Sequence, residues 1–313
     1  MTTHRHTPLR LTLAALTLLL GAALTAPAAA DGKRRGYYEL TESGELSTRD
    51  RRGASPDLQQ RLNRALRPHL KKFHGATTIT GHPSQLDHLP AGIEALVLRD
   101  LPVTALDRLP KSLRALDISG TKVTRLEHLP PGLEVLIARD TPLTRLEHLP
   151  RGLTFLDLSG SPIERLEHLP RSLQVLIARD TPIVRVEHLP RKLDLLDVSG
   201  SQVGRLEHLP RGLTTAIAAN TPIVRVEHLP RGLTVLDISG TKVARVEHLP
   251  RGLQILNLSK TAVTTLNHLP RGLRTLVAEG VQAPRTASQG SRGSRGSRGS
   301  RGSRGSRGSR MPK

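Results

Sequence analysis

The chain has 313 residues, about 1% aromatics, no Trp and no Cys. Missing cysteine excludes disulfide frameworks, thiolate metal sites and thiol nucleophiles, and so few aromatics argue against one central globular core. The formal charge of +20 is uneven: residues 284–313 alone hold nine basic and no acidic side chains, whereas residues 76–283 carry 25 basic against 21 acidic.

Residues 1–30 read as a secretory signal. Arg5 and Arg10 give a positive start, Leu11 to Leu24 an apolar run too short to span a bilayer, and Ala-Pro-Ala-Ala-Ala ending at Ala30 a small-residue cleavage site. The expected destination is therefore periplasm, cell surface or medium. Residues 31–54 are basic and polar without an apolar period and are expected to form a disordered leader. Ser55-Pro56-Asp57 has the features of a helix start: a hydroxyl N-cap, proline in the first turn and an acid at the positive helix end. Leu58, Leu62 and Leu66 then fall on one helical face, with Pro68 expected to end or bend the helix. Residues 55–90 are thus expected to form a helical cap and a degenerate first repeat, covering the exposed core at the start of the repeat array.

From Leu89-Pro90 to Leu269-Pro270 a Leu-Pro dipeptide recurs ten times at 20-residue intervals. In the unit 231–250, Leu236 and Ile238 are two apart and share one face of a short strand, while Val235, Asp237 and Ser239 take the other. Gly240 permits the turn out of the strand. Pro250 and the short period leave no room for a helix on the return path. Successive units must stack, because one unit cannot bury its own leucines. The predicted fold for residues 91–282 is a solenoid with a short parallel concave β-sheet and an extended convex side. Residues 283–313, with Gly-Ser-Arg seven times over 290–310, are expected to be disordered.

The pattern LxxLxLxxTxVxxVxxLP resembles the short bacterial leucine-rich repeats of the YopM and IpaH class. That resemblance implies a leucine-rich-repeat solenoid that binds protein partners. Three departures matter. Thr or Ser (Thr121, Thr141, Ser161, Thr181, Ser201, Thr221, Thr241, Thr261) replaces the usual Asn after the strand; Leu-Glu or Val-Glu stands where the family often has a second Leu-Pro; and without Cys, the IpaH ligase activity does not carry over.

Three columns are expected on the concave face. An apolar one includes Val135, Phe155, Val175 and Leu195; a second alternates Asp117, Asp157, Asp197 and Asp237 with Ile; a third alternates Arg99, Arg139 and Arg179 with Ser. A long exposed apolar stripe is unusual without something to cover it, which makes these residues the candidate partner-binding strip, with Phe155 its only aromatic. The bland alternative is a self-satisfied ionic lattice. A 40-residue alternation, Ile118, Leu158, Val198 and Ile238 against Ala138, Ala178 and Ala218, reads as duplication of a two-repeat unit. His88, His128, His148, His168, His188, His208, His228, His248 and His268 occupy one repeat position. Two histidines per ion make an incomplete metal site, so a copied surface residue is favoured and no cofactor is expected. In the tail, Arg292, Arg295, Arg298, Arg301, Arg304, Arg307 and Arg310 are candidate anion-binding residues acting through charge alone, toward an envelope polymer or membrane surface. No catalytic constellation is present, and specific nucleic-acid recognition is not expected. The sequence therefore predicts a monomeric, non-enzymatic exported binding protein. The alternatives are a structural protein held to anionic surface polymers by its tail, and a weak metal binder.

Overall fold

The computed structural model describes residues 38–40, 46–48 and 56–279, apart from 80–85, 87, 88, 91, 108, 265, 267 and 268. The signal sequence, Ser55 and the Gly-Ser-Arg tail with its arginines lie outside the described residues.

Eleven parallel strands form one continuous sheet. It begins at β3 (Thr77–Thr78) and β4 (Ala95–Val97) and continues through β5 (Ala115–Asp117), β6 (Val135–Ile137), β7 (Phe155–Asp157) and β8 (Val175–Ile177). Strands β9 (Leu195–Asp197), β10 (Thr215–Ile217), β11 (Val235–Asp237), β12 (Ile255–Asn257) and β13 (Thr275–Val277) complete it. Register is strict from β4 onward: each residue pairs with the one 20 positions later, as Val135 with Phe155 and Phe155 with Val175. The period-2 alternation thus puts Leu96, Leu116, Leu136 and their successors inside the solenoid, in a single core with Ile118, Leu158, Val198 and Ile238.

Each repeat closes the same way. The Leu-Pro step leads into a turn in which the amide of Leu153 donates to Pro150 O at 3.1 Å, and Leu173, Leu193, Leu213, Leu233 and Leu253 repeat that bond. After the strand, the Thr hydroxyls cap a carbonyl three residues back: Thr121 Oγ1 donates to Ile118 O at 2.7 Å, Thr181 Oγ1 to Ala178 O at 2.9 Å. The buried Thr hydroxyls are therefore satisfied within their own repeats, whereas Ser161 Oγ donates to Ala138 O of the preceding repeat at 3.0 Å. The return path is extended, with occasional cross-repeat backbone bonds such as Lys122 N to Val103 O, 2.9 Å.

The 40-residue alternation has a packing basis. Gly120, Gly160, Gly200 and Gly240 have φ between 68° and 73°, while Asp100, Asp140, Asp180 and Asn220 hold the left-handed conformation at the same turn in the alternate repeats. A Cβ on Gly200 would stand 2.1 Å from Asp180 Oδ1. The carboxylate of one repeat fills the space that the glycine of the next leaves open. The histidine column also occupies a left-handed position: seven residues from His128 to His248 have φ of 53–58°. His, Asn and Asp are the non-glycine residues enriched there, so backbone geometry accounts for the repeated histidine.

Two expectations for the N-terminal region change. Within the stretch read as a structureless leader, β1 (Tyr38–Leu40) and β2 (Leu46–Thr48) pair as an antiparallel hairpin. The predicted helix forms as α1 (Pro56–Leu70), runs through Pro68 and continues into a 3-10 turn, Lys71–Phe73. Its place, however, is the concave face rather than only the open end of the first repeat. At the far end, the inward Leu276 of β13 is 40% exposed, and no described residue covers it.

Candidate functional site

The concave columns are where the alternation placed them, but they are not open. Leu58, Leu62 and Leu66 of α1, with Phe73 and Ala76, form a second apolar core with Val135, Phe155, Val175, Leu195, Val235 and Ile255. Phe155 is 1% exposed and Leu62 0%. The apolar strip expected to await a partner is covered by the chain's own amphipathic helix, because three leucines on one helical face and a continuous column of Val, Phe and Leu bury each other. That corrects the expectation of Phe155, Val135, Val175 and Leu195 as an open binding surface.

Polar contacts fix the helix along the sheet. Arg61 Nη1 donates to Thr234 Oγ1 at 3.2 Å, and its other terminal nitrogen to Gln254 Oε1. Lys72 pairs with Glu134, His69 Nδ1 lies 3.2 Å from Thr154 Oγ1, and the Thr275 hydroxyl donates to Asp57. The helix start thus lies over β13 and its end over β6 and β7. His69 stacks obliquely on Phe155, ring centroids 5.5 Å apart. Burial pushes the His69 pKa below the ordinary histidine value, and the Lys72 charge adds to the effect. Burial also lowers the Lys72 pKa, with Arg114 contributing. The helix carries Arg61, Arg64 and Arg67, and the column at the strand entrances carries Glu94, Glu134 and Asp194 together with Arg114 and Arg274.

In the Asp-Arg lattice the carboxylates are buried and the arginines partly so. Asp157 Oδ1 accepts from Ser159 N at 3.0 Å and Ser159 Oγ at 2.7 Å, while Oδ2 accepts from Arg139 Nε at 2.7 Å. Asp117 does the same with Ser119 and Arg99; Asp197 accepts from Ser199 N and Oγ and forms an ion pair with Arg179 at 3.8 Å. Each Arg therefore pairs with the Asp of the following repeat. Where Ala219 replaces the next Arg, Asn257 Nδ2 donates to Asp237 Oδ2 at 3.2 Å. Asp117, Asp157, Asp197, Arg139 and Arg179 hold neighbouring repeats together rather than facing outward as recognition groups.

On the outer side, Arg125, Arg165, Arg185 and Arg205 lie 3.5–3.7 Å from Glu127, Glu167, Glu187 and Glu207. The described members of the histidine column are exposed. Among the described residues, no group of three or more His, Asp or Glu side chains could hold a metal ion, and no helix is long and apolar enough to cross a membrane.

Twenty-residue turns, a parallel sheet and inward leucine columns make up a leucine-rich-repeat solenoid of short units, similar to that of bacterial YopM. YopM from Yersinia enterocolitica is similar at 32% identity and TM-score 0.58, over 62% of this chain and 44% of that one. The functional domain of InlJ from Listeria monocytogenes shares the fold at 20% identity and TM-score 0.52, covering 61% of this chain and 49% of that one. The APL1 leucine-rich-repeat domain does so at 20% and 0.51, covering 62% and 57%. The chain spans less than half the length of the YopM and InlJ chains it matches. No protein-family model matches it, and no curated protein matches it significantly. The fold these structures share is that of a protein-interaction domain in general.

Proposed function

We propose that this is an exported, monomeric, non-enzymatic protein-binding module whose concave groove recognises an amphipathic helix. One observation carries the reading: α1 seats three leucines on the Val-Phe-Leu column and anchors its flanks through Arg61, His69 and Lys72. A groove that holds one such helix has the geometry to hold another of the same pattern, with leucines at i, i+4 and i+8 and basic flanks. The internal helix then competes with the partner and sets the threshold for binding, since the apparent affinity falls by the fraction of molecules whose groove is free. Val135, Phe155, Val175 and Leu195 are the contact residues in this state, and Asp117, Asp157, Asp197, Arg139 and Arg179 form the rigid lattice beneath. Export rests on Arg5, Arg10 and the apolar run after them. The tail arginines from Arg292 to Arg310 add electrostatic attraction to an anionic surface polymer or membrane.

A labelled peptide of residues 55–74, added to the full chain carrying Leu62→Asp, tests the groove by fluorescence anisotropy. The variant binds the peptide, wild type binds it far more weakly, and adding Phe155→Ala to the variant weakens binding by about 1–3 kcal/mol. Equal binding to wild type and variant would place the peptide elsewhere and overturn the proposal. N-terminal sequencing of the envelope-fraction protein checks export separately, with Asp31 the expected first residue.

A further inference from the structure

We infer that one lateral edge of the solenoid, where an arginine stands at every twentieth position from Arg151 to Arg271, is a binding ladder for a linear anionic polysaccharide. This surface is separate from the concave groove and from the tail. All seven arginines are exposed. Those from Arg151 to Arg251 follow the proline of the turn closed by the Leu-to-Pro hydrogen bond, and Arg271 follows Pro270 in the same way. The stacked turns are held closely: a Cβ on Gly212 would stand 3.1 Å from Arg191 O, and one on Gly232 3.3 Å from Arg211 O. The arginine backbones therefore advance in register at the strand spacing of about 4.8 Å, giving a cationic row about 30 Å long.

Charge is in surplus along this row. On the neighbouring convex column Arg125, Arg165, Arg185 and Arg205 sit beside glutamates of their own repeats. The row from Arg151 to Arg271 forms no ion pair among the described residues. Arg225, Glu227, Arg231, Arg245, Glu247 and Arg251 line one open groove between successive turns, where four arginines stand against two glutamates. The residue after each arginine of the row is Gly or Ser except at Lys192, leaving the guanidinium groups approachable from the side.

The spacing and the chemistry select the ligand. Guanidinium groups pair with carboxylate or sulfate through two parallel hydrogen bonds. An extended uronic-acid chain carries one carboxylate per sugar, and those on its facing side meet guanidinium groups at intervals along the row. Nucleic acid fits less well: sequence-tolerant strand binding uses aromatic stacking platforms, and Phe155, the only Phe, Tyr or Trp between Arg151 and Arg271, is buried.

The test measures polygalacturonate affinity against salt concentration for the full chain, for a variant with Arg151, Arg171, Arg191 and Arg211 changed to Gln, and for a deletion of residues 284–313. Each lost contact lowers the slope of log affinity against log salt by about 0.7, so the four-residue variant loses about 3 from the slope with an unchanged melting temperature. A variant with Arg171→Gln and Arg211→Gln alone loses about half as much and serves if the fuller variant does not fold. Lysine at the same four positions restores most of the slope but not the full affinity. The tail deletion keeps the ladder's share of the slope, and longer oligogalacturonates bind more tightly than short ones until the row is filled. Wild-type affinity in the glutamine variant, or loss of all binding on tail deletion alone, would overturn the inference. So would equal or tighter binding of oligo-dT of matched charge.

Discussion

Replacing Leu62 tests the docked helix most directly. Leu62 is fully buried, at the middle of the α1 face that covers β6 to β12. Leu62→Ala removes that burial and leaves a cavity against the Val-Phe-Leu column, a change of about 2–5 kcal/mol at well-packed sites. The solenoid's own core of inward leucines is a separate cluster, so the loss falls on docking rather than on the sheet. Once undocked, a 15-residue helix is only marginally stable in water and melts. Amide exchange over residues 58–70 should therefore accelerate by about 30-fold to several thousand-fold, the Boltzmann equivalent of that range. Exchange at Leu116, Leu136, Leu156 and Leu176 should change little. Hydrogen exchange read by mass spectrometry resolves the two regions. Unchanged protection of residues 58–70, or equal loosening of the strands, would refute the idea that the helix is a separable occupant of the groove.

Acid should loosen the same contact. The pKa of His69 is lowered in the docked state by burial and then by Lys72, so its contribution is complete above the free-histidine pKa of about 6.5 and is lost as pH falls below it; the protection factor over 58–70, with the slower intrinsic exchange in acid divided out, should fall toward pH 5, and His69→Phe should flatten the response. Asp157→Ala should destabilise the solenoid by about 3–5 kcal/mol, because it removes the buried acceptor shared by Arg139 Nε, Ser159 N and Ser159 Oγ; urea unfolding measures it, and a change within error would show the lattice to be incidental. Gly200→Ala should cost about 1–2 kcal/mol from its left-handed φ of 70°, and more where the new methyl meets the Asp180 carboxylate; pairing it with Asp180→Gly should recover the contact part of the loss but not the conformational part, as judged by thermal melts.

The solenoid was legible in the sequence because its determinants are local and repeated. Leucines two apart fix which face of a three-residue strand turns inward, Leu-Pro fixes the turn before it, and a period of 20 fixes the register of every pair. The Asp and Arg columns followed from that alternation, but the rung each Arg chooses did not: Arg139 reaches forward to Asp157, a matter of side-chain direction across the sheet. The histidines were visible as a column, and their left-handed backbone could have been suspected from the enrichment of His, Asn and Asp there.

The destination of α1 was a tertiary decision. Its leucines at 58, 62 and 66 announced a helix with one apolar face, and the concave column at 135, 155, 175 and 195 announced an apolar strip needing cover. Local pattern says that each must be buried but not against what; the open first repeat offered the helix an alternative. Only the assembled sheet presents the Val, Phe and Leu side chains as one continuous surface of matching length. The helix lies there because both apolar faces leave water together, with His69, Arg61 and Lys72 finding polar partners from strands far apart in sequence.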